Sequence, residues 1–237
     1  MKSGVQHKSI YRVLSVILLV ILAFLFVFPL YWIVTGAFKT TQEINSVTPV
    51  WFPSTWTLDN FTRLFSRRTA PLFPMGPVGP AAIRWLVNTV FMAVAAMVLT
   101  CITASMAGYA LAKKRFRGRA ILFGLIVCAM ALPKQVILIP LIREISVLGL
   151  YDNIWAVIFP TVGWPFGVFL MKQFSESIPG EILEAARIDG ANEARTFATI
   201  VVPMVKPGIG ALAIFTFINS WNDYFMQLIM LSSNNNY

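Results

Sequence analysis

The chain has 237 residues, of which 57% are hydrophobic and 12% are charged, and its formal net charge is +9. Its mean hydropathy of +0.72 is typical of membrane proteins and excludes an ordinary soluble globular fold. The positive charge is compatible with a nucleic-acid partner, but the basic residues cluster beside apolar runs, as orientation signals of membrane proteins do. We therefore expect an all-α polytopic membrane protein that contacts lipid and binds no nucleic acid.

The chain begins with a short basic tail, which contains Lys2, Lys8 and Arg12 and no acidic residue. Residues 13–38 follow without a charge. As a helix this run would be about 39 Å long, enough to cross a hydrocarbon core of roughly 30 Å. The run is too long for a signal-peptide core, so we predict a retained first span with the N-terminus in the cytosol.

The segment 39–84 interrupts the apolar pattern with prolines. It contains six prolines as well as Gly76 and Gly79, which rules out a regular membrane span. Its basic residues are spread thinly, whereas those of the N-terminal tail and of residues 113–119 are dense. This difference in density predicts that 39–84 is an external loop and that the other two segments face the cytosol.

The second predicted span covers residues 85–112 and carries no charge. Small residues recur in it at intervals of four, which places them on one helix face and lets another helix approach closely. We interpret this stripe as a packing surface and not as a substrate path. Its members are Ala96, Thr100, Ala104, Gly108 and Ala112.

Three more spans follow, at 120–142, 153–171 and 207–231. The third is interrupted by Pro133 and Lys134, so we predict either a break or an amphipathic end there, near the external interface. Five spans place the two ends of the chain on opposite sides of the membrane.

The segment 176–203 is charged and patterned, unlike the apolar runs on either side of it. Pro179 suits the first turn of a helix, where its missing N–H costs nothing. Gly190 can adopt the left-handed conformation that ends a helix, and Asp189 is a candidate cap for a second helix over 191–200. We predict two short helices with a bend, forming a cytosolic loop.

This loop carries a spaced motif. Glu184, Ala185 and Ala186 are followed after three residues by Gly190, and after nine more by Ile200-Val201-Val202-Pro203. The spacing resembles the EAA motif of the permease subunits of binding-protein-dependent ABC importers, with Val202 where that pattern has Leu. The resemblance implies a coupling helix that sits in a groove of a partner ATPase. The residues it implies for coupling are Glu184, Ala185, Ala186, Asp189, Gly190, Ile200 and Pro203.

The resemblance is closest from residue 116 to residue 230 and implies the rest of the system. Its expected partners are a dimer of ABC ATPase subunits, a second permease subunit and an extracytoplasmic solute-binding protein, in a bacterial cytoplasmic membrane. It also implies a sixth helix after Leu231, so we expect a chain truncated at its C-terminus. Residues 1–237 would then form one transmembrane domain.

No catalytic constellation is visible in the sequence. A single histidine cannot supply a two-histidine metal site, and no Gly-Lys pair of a phosphate-binding loop occurs. We expect no metal, no cofactor and no enzymatic activity in this chain, with ATP bound by the partner subunit.

Polar residues within the fifth span are candidates for the substrate path, because polar groups in a membrane are costly unless they serve a cavity or a partner. The segment 217–225 also resembles one in sugar permeases of the maltose type, specifically the second permease of the pair. The candidates are Asn219, Trp221, Asn222, Asp223 and Tyr224.

Alternatives remain for both the segment and the function. Trp221 and Tyr224 are equally typical of interface anchors, and Asp223 could pair with a basic residue such as Lys134. For the whole chain, the resemblance favours an importer of a mono- or oligosaccharide. An importer of a non-sugar solute, a secondary transporter and a membrane enzyme are the alternatives.

Overall fold

The computed structural model describes residues 3–66 and 79–231, with only the backbone described over residues 3–10. All regular elements of these residues are helices, as predicted. Part of the proline-rich segment that is predicted to be an external loop, residues 67–78, lies outside the described residues. Residues 232–237 also lie outside the described residues.

The chain divides into two compact units, of which the first contains the described residues up to 66 together with 79–82. Its long helix α1 (Ser3–Ala37) is apolar and contains Pro29. Two short helices follow, α2 (Thr41–Ile44) and α3 (Asp59–Ser66). The segment between them folds back on the end of α1, since the Thr57 N–H donates to the Phe38 carbonyl at 3.0 Å.

The second unit contains the described residues from 83 to 231. Helix α4 (Ala81–Lys113) enters it after its first turn. Nine further helices and one π-helical turn follow in this part of the chain. They are α5 (Arg119–Met130), α6 (Leu138–Val147), α7 (Trp155–Val162), α8 (Pro165–Glu176), α9 (Gly180–Ile188), α10 (Glu193–Thr196), the π-helical turn Phe197–Val201, α11 (Val202–Met204), α12 (Lys206–Trp221) and α13 (Tyr224–Met230).

Three helices of the described residues are long and apolar enough to cross a membrane. They are Tyr11–Ala37, Ala81–Lys113 and Trp155–Glu176, the last formed by α7 and α8 together. A fourth crossing is counted if Glu193–Met204 and Lys206–Trp221, which meet at 78°, are taken as one broken span. Helix α5 has 12 residues, which is short for a full crossing.

Two of the predicted spans are divided in the structure. The predicted break at Pro133 and Lys134 is confirmed, because α5 ends at Met130 and α6 begins at Leu138. The segment predicted as a single fifth span is interrupted at Asn222 and Asp223, between α12 and α13. Each interruption exposes helix-end groups that need other partners.

The predicted stripe of small residues on α4 is confirmed as a packing surface. Ala96, Thr100 and Ala104 are buried. A Cβ added at Gly108 would lie 2.6 Å from the backbone of Met171 and Lys172, so α4 and α8 approach too closely there for any side chain. This contact holds the C-terminal parts of α4 and α8 together, next to the loop that follows α8.

Candidate functional site

Helix α9 forms the first half of the predicted coupling loop. It begins after Pro179, whose φ of −61° and ψ of 135° lead an extended segment into the helix, and Glu181 places a negative charge in its first turn. Leu183 packs on the core that includes Met171 and Val201, and Ala186 on the same helix is buried. This apolar side anchors a nine-residue helix that would be marginal alone in water.

The end of α9 is set by Gly190, whose φ is +78°. The Gly190 N–H donates to the Arg187 carbonyl at 3.0 Å, and the Ala191 N–H donates to the Ala186 carbonyl at 2.9 Å. This pair of bonds is the Schellman motif, which requires a left-handed residue at the glycine position. The predicted turn at Gly190 is therefore confirmed.

The predicted cap of the second helix is wrong. Asp189 lies at the C-terminal end of α9. The cap of α10 is Asn192, whose Oδ1 accepts from the Arg195 N–H at 2.8 Å. The Schellman turn continues through Ala191, so the first position free to cap a new helix is three residues beyond Asp189.

The motif residues of α9 divide between the two sides of the helix. Ala186 is buried, whereas Glu184 and Ala185 are exposed. Among the described residues, the Glu184 carboxylate has neither a hydrogen bond nor an ion pair. Ile188, at the end of the same helix, is 87% exposed. The outer side of α9 thus presents a free carboxylate beside uncovered apolar surface.

The second half of the loop is one continuous helical segment from Glu193 to Met204, which includes the π-helical turn. It meets α12 at 78°, so it runs nearly at right angles to that helix. Ile200 is half-buried and Pro203 is exposed. Val201 between them is fully buried and fixes this segment to the core.

Glu193 joins the two halves of the loop to α4. Its Oε2 accepts from the Lys114 ammonium group and, at 3.4 Å, from the Tyr109 hydroxyl. Its Oε1 accepts from Arg187 at 3.3 Å. The hydrogen bond from Lys114 is the main cause that lowers the pKa of Glu193 below its usual value, against a smaller opposing effect of burial. Glu193 therefore connects the ends of α9, α10 and α4.

Two lysines fix the start of the loop. Lys113 donates to the carbonyls of Glu176 and Ile178, at 3.0 and 2.6 Å, and so holds the end of α8 against the end of α4. Lys172 is buried, donates to the Glu176 carboxylate at 2.5 Å and lies 4.3 Å above the Phe123 ring. The loop is consequently attached to the helices at both of its ends.

Two of the substrate-path candidates, Asn222 and Asp223, form hydrogen bonds to backbone groups at the break in the fifth predicted span. The Asn222 amide donates to the Ile218 carbonyl at 2.8 Å, at the end of α12. Asp223 caps α13 by accepting from the Met226 N–H at 3.2 Å, and its other oxygen lies 3.5 Å from the Lys134 ammonium. The predicted pairing of Asp223 with Lys134 is confirmed.

The remaining candidates have other surroundings. Trp221 stacks on Phe217 with ring centroids 5.7 Å apart, and Asn219 is half-buried. Tyr224 is 72% exposed and lines a pocket of about 270 Å³. Other residues of that lining are Trp85, Asn88, Thr89 and Gln227.

Sequence analysis missed several of these residues. Asn88 and Thr89 were passed over because the second span was judged by its lack of charge. Glu193 was not singled out, since its partners Tyr109 and Lys114 lie about 80 positions away in the sequence. The signal for Lys113 and Lys114 was present, but it was interpreted only as membrane orientation.

Comparison with known proteins identifies the family. Residues 103–236 match the family described as binding-protein-dependent transport system inner membrane component. The chain is 35% identical over 215 residues to the arabinooligosaccharides transport system permease protein AraQ of Halalkalibacterium halodurans, which covers 90% of this chain and 73% of that protein. The chain belongs to this family.

A second permease is similar to this chain over most of its own length. The maltodextrin transport system permease protein MdxG of Bacillus subtilis is 30% identical over 230 residues, covering 95% of this chain and 77% of that protein. A solved bacterial ABC transporter involved in the import of the acidic polysaccharide alginate contains a chain with a similar fold. The TM-score is 0.74 at 25% identity, with 97% of this chain and 77% of that chain covered.

Family membership confirms the resemblance that the EAA spacing indicated. The permease is a transport component of an ABC importer and not an enzyme. This result removes the secondary transporter and the membrane enzyme from the alternatives. Their removal rests on 134 matched residues that include the whole loop and the fifth predicted span.

Proposed function

We propose that this permease moves a carbohydrate, a mono- or oligosaccharide, across a bacterial cytoplasmic membrane. It works with a second permease, a dimer of ATPase subunits that binds the ATP, and an extracytoplasmic solute-binding protein. The loop 176–203 is the element that docks on the ATPase. Residues 1–237 act as one transmembrane domain with five crossings, and the N-terminus lies in the cytosol.

The observation that carries this proposal is the outer side of α9. Glu184 is exposed and has no hydrogen bond or ion pair with any residue that the structure describes, and Ile188 is 87% exposed on a helix whose other side is well anchored. A free charge beside uncovered apolar surface, on a rigid short helix, suits insertion into a groove of another protein. The dense basic residues around Lys113 and Lys114 favour the cytosolic side for this end of the permease.

The contacts of the loop suggest how motion is transmitted. A push on α9 reaches α4 through Glu193 and Lys114, and it reaches the end of α8 through Lys113. The Schellman turn at Gly190 keeps the angle between α9 and α10 constant, so the loop passes on displacement and does not absorb it. In alternating access, closure of the ATPase dimer would move the cytosolic ends of α4 and α8 together.

The named substrates of the relatives support a carbohydrate. One relative is named for arabinooligosaccharides and another for maltodextrin. Exposed aromatic rings and amides are suited to sugars, since rings stack on the apolar face of a sugar and amides bond to its hydroxyls. In this permease we assign that role to Asn219, Trp221 and Tyr224. Asn222 and Asp223 contribute by holding the break between α12 and α13.

Co-purification with the candidate ATPase tests the docking role directly. The ATPase is the product of a neighbouring reading frame that contains a phosphate-binding loop. We expect wild type to retain the ATPase on purification from membranes and Glu184→Lys to lose it. Glu144→Lys is the matched control, because Glu144 is exposed on α6 and the charge change is identical. Equal retention by the two variants, both correctly inserted, would remove the loop from the docking surface.

A further inference from the structure

A small polar pocket lies beside the end of α1, within the first unit. Its volume is about 210 Å³, several times the roughly 30 Å³ that one water occupies in the liquid. Lys39 and Arg63 supply two positive charges to its lining, and Asp59 supplies one negative charge. The other lining residues are neutral and include Thr40, Thr41 and Asn60. The pocket therefore carries a net charge of +1 with hydroxyl groups around it.

Lys39 is buried to 2% exposure, yet in residues 3–66 and 79–231 its ammonium group has no hydrogen bond and no ion pair. The Lys39 ammonium lies over the Trp32 ring, 4.1 Å from the ring centroid. A buried lysine without an anion is costly, and the cation–π contact offsets only part of that cost. An anion in the pocket would supply the missing partner.

The nearby acids do not fill this role. Glu43 accepts from the Thr40 N–H at 2.9 Å and from the Ser54 N–H at 2.7 Å. These backbone hydrogen bonds lower the pKa of Glu43 to about 2, so its carboxylate is charged and engaged with the Thr40 and Ser54 backbone. Asp59 is exposed in the first turn of α3 and forms no ion pair with Lys39.

The polar groups of the pocket are also held in place. Asn60 uses both of its amide hydrogens on the carbonyls of Ala37 and Lys39, at 3.1 and 2.8 Å, which fixes α3 against the end of α1. Arg63 donates to the Thr41 hydroxyl at 3.1 Å. The guanidinium of Arg63 and the ammonium of Lys39 thus line a concave site that the hydrogen bonds between α3 and the end of α1 hold in shape.

The position of Lys39 along the chain indicates which anion is available. From Arg12 to Lys39 the helix and its last turn span about 40 Å, close to the roughly 40–45 Å of a bilayer with its headgroup regions. Lys39 is therefore at the level of lipid headgroups. Three large aromatic side chains that contact Tyr31, Trp32 and Phe38 at the end of the first span are more than half exposed, as is typical of the membrane interface: Trp51, Phe52 and Trp56.

We propose that this pocket binds the headgroup phosphate of an anionic phospholipid such as phosphatidylglycerol. Lys39 and Arg63 hold the phosphate, and the Thr41 hydroxyl bonds to the glycerol hydroxyls. A choline headgroup binds less well because its cation meets two positive side chains. The site depends on the transmembrane placement of α1 in the proposed function, and it assigns the lipid to the external leaflet.

Native mass spectrometry of the delipidated full chain in detergent tests the site, with dioleoyl-phosphatidylglycerol and dioleoyl-phosphatidylcholine as probes. We expect one tightly retained phosphatidylglycerol in wild type, and an affinity lower by roughly tenfold in Lys39→Met and in Arg63→Gln. Lys39→Met keeps the apolar stem over Trp32. Arg63→Gln alters an exposed residue and serves if the first variant does not fold.

Arg143→Gln is the matched control, because Arg143 is exposed on α6 outside the pocket and the charge change is the same. Equal retention by the pocket variants and this control would overturn the site, as would equal binding of the two lipids. Unchanged lipid retention with weaker capture of the solute-binding protein in Lys39→Met would identify a protein-docking pocket instead. The readout does not involve transport, so this site and the proposed function can fail independently.

Discussion

The loop 176–203 and the break at Asn222 and Asp223 use polar residues in opposite ways. In the loop, the turn is built by backbone bonds at Gly190. Within residues 3–66 and 79–231, the Glu184 carboxylate has no hydrogen bond and no ion pair. At the break, Asp223 caps α13 and faces Lys134, and Asn222 bonds to the end of α12. Polar side chains are thus available to a partner protein in the loop, whereas at the break they stabilise the helix ends.

This difference shows that a polar residue in an apolar chain indicates a special position but not its role. A helix end in a membrane exposes backbone groups that have no water to satisfy them. Nearby Asn and Asp side chains satisfy those groups first. A glycine turn satisfies its own backbone, so the charged residues around it remain available for another protein.

The largest expected effect is on transport by Glu184→Lys. The reversed charge would meet whatever basic or donor groups the ATPase groove offers, so we expect uptake by the complete complex to fall by at least about tenfold. Uptake of labelled sugar into proteoliposomes measures this, with Glu144→Lys as the control. Asp223→Asn should keep most of the uptake. Normal uptake by Glu184→Lys would show that Glu184 is not needed for contact with the ATPase, and the proposed functional difference between the two regions would be wrong.

The turn at Gly190 should tolerate alanine better than proline. A Cβ at this position meets nothing within 4 Å, so Gly190→Ala costs only the left-handed strain of about 1–2 kcal/mol. Gly190→Pro also loses the N–H donated to Arg187 and forces φ to about −65°, for a total of about 3 kcal/mol or more. Hydrogen exchange of amides 185–191 reports both changes.

Gly180→Ala is the control for this pair, because Gly180 also has open space around it but not a positive φ. It should leave exchange at the turn unchanged. If Gly190→Ala and Gly190→Pro increased exchange equally, the Schellman geometry would not be what holds the loop.

At the break, the cap and the ion pair of Asp223 can be separated. Asp223→Asn keeps an oxygen for the Met226 N–H and loses the ion pair, so we expect a loss of about 0.5 kcal/mol, and the same from Lys134→Met. Asp223→Ala loses both and should cost about 1–2 kcal/mol. Thermal unfolding in detergent ranks the three variants. A much greater loss of transport in Asp223→Asn than in Lys134→Met would instead assign Asp223 to the substrate path.

The smallest expected effect is the pH dependence of the Glu193 contacts. Because the pKa of folded Glu193 lies below its usual value of 4.5, its contribution is present above that pH and is lost as pH falls through the lowered pKa. The side chain is 58% exposed, so the contribution is below about 1 kcal/mol. Hydrogen exchange of the loop between pH 6 and pH 3, compared with Glu193→Gln, measures it.

Glu181→Gln provides the matched comparison, since Glu181 is exposed on α9 and has no ion pair among the described residues. It should retain the pH response of wild type, whereas Glu193→Gln should show little response. Identical profiles in all three proteins would mean that Lys114 and Arg187 do not hold the loop through Glu193.

The sequence by itself determined the membrane class, the loop with its turn at Gly190, the packing stripe on α4 and the break at Pro133. These features follow from local rules, since apolar length, glycine conformation and proline geometry act within a few residues. Even the pair of Asp223 with Lys134 was anticipated, because few opposite charges are available in so apolar a chain.

Only the tertiary structure decided which residues meet across the fold. The cap at Asn192 replaced the predicted Asp189 because the backbone of the Schellman turn extends past Gly190. Glu193 acquired its role from Tyr109 and Lys114, and the pocket at Lys39 was formed when α3 folded back on the end of α1. Such contacts depend on the close approach of distant segments, which the helical pattern of one segment does not specify.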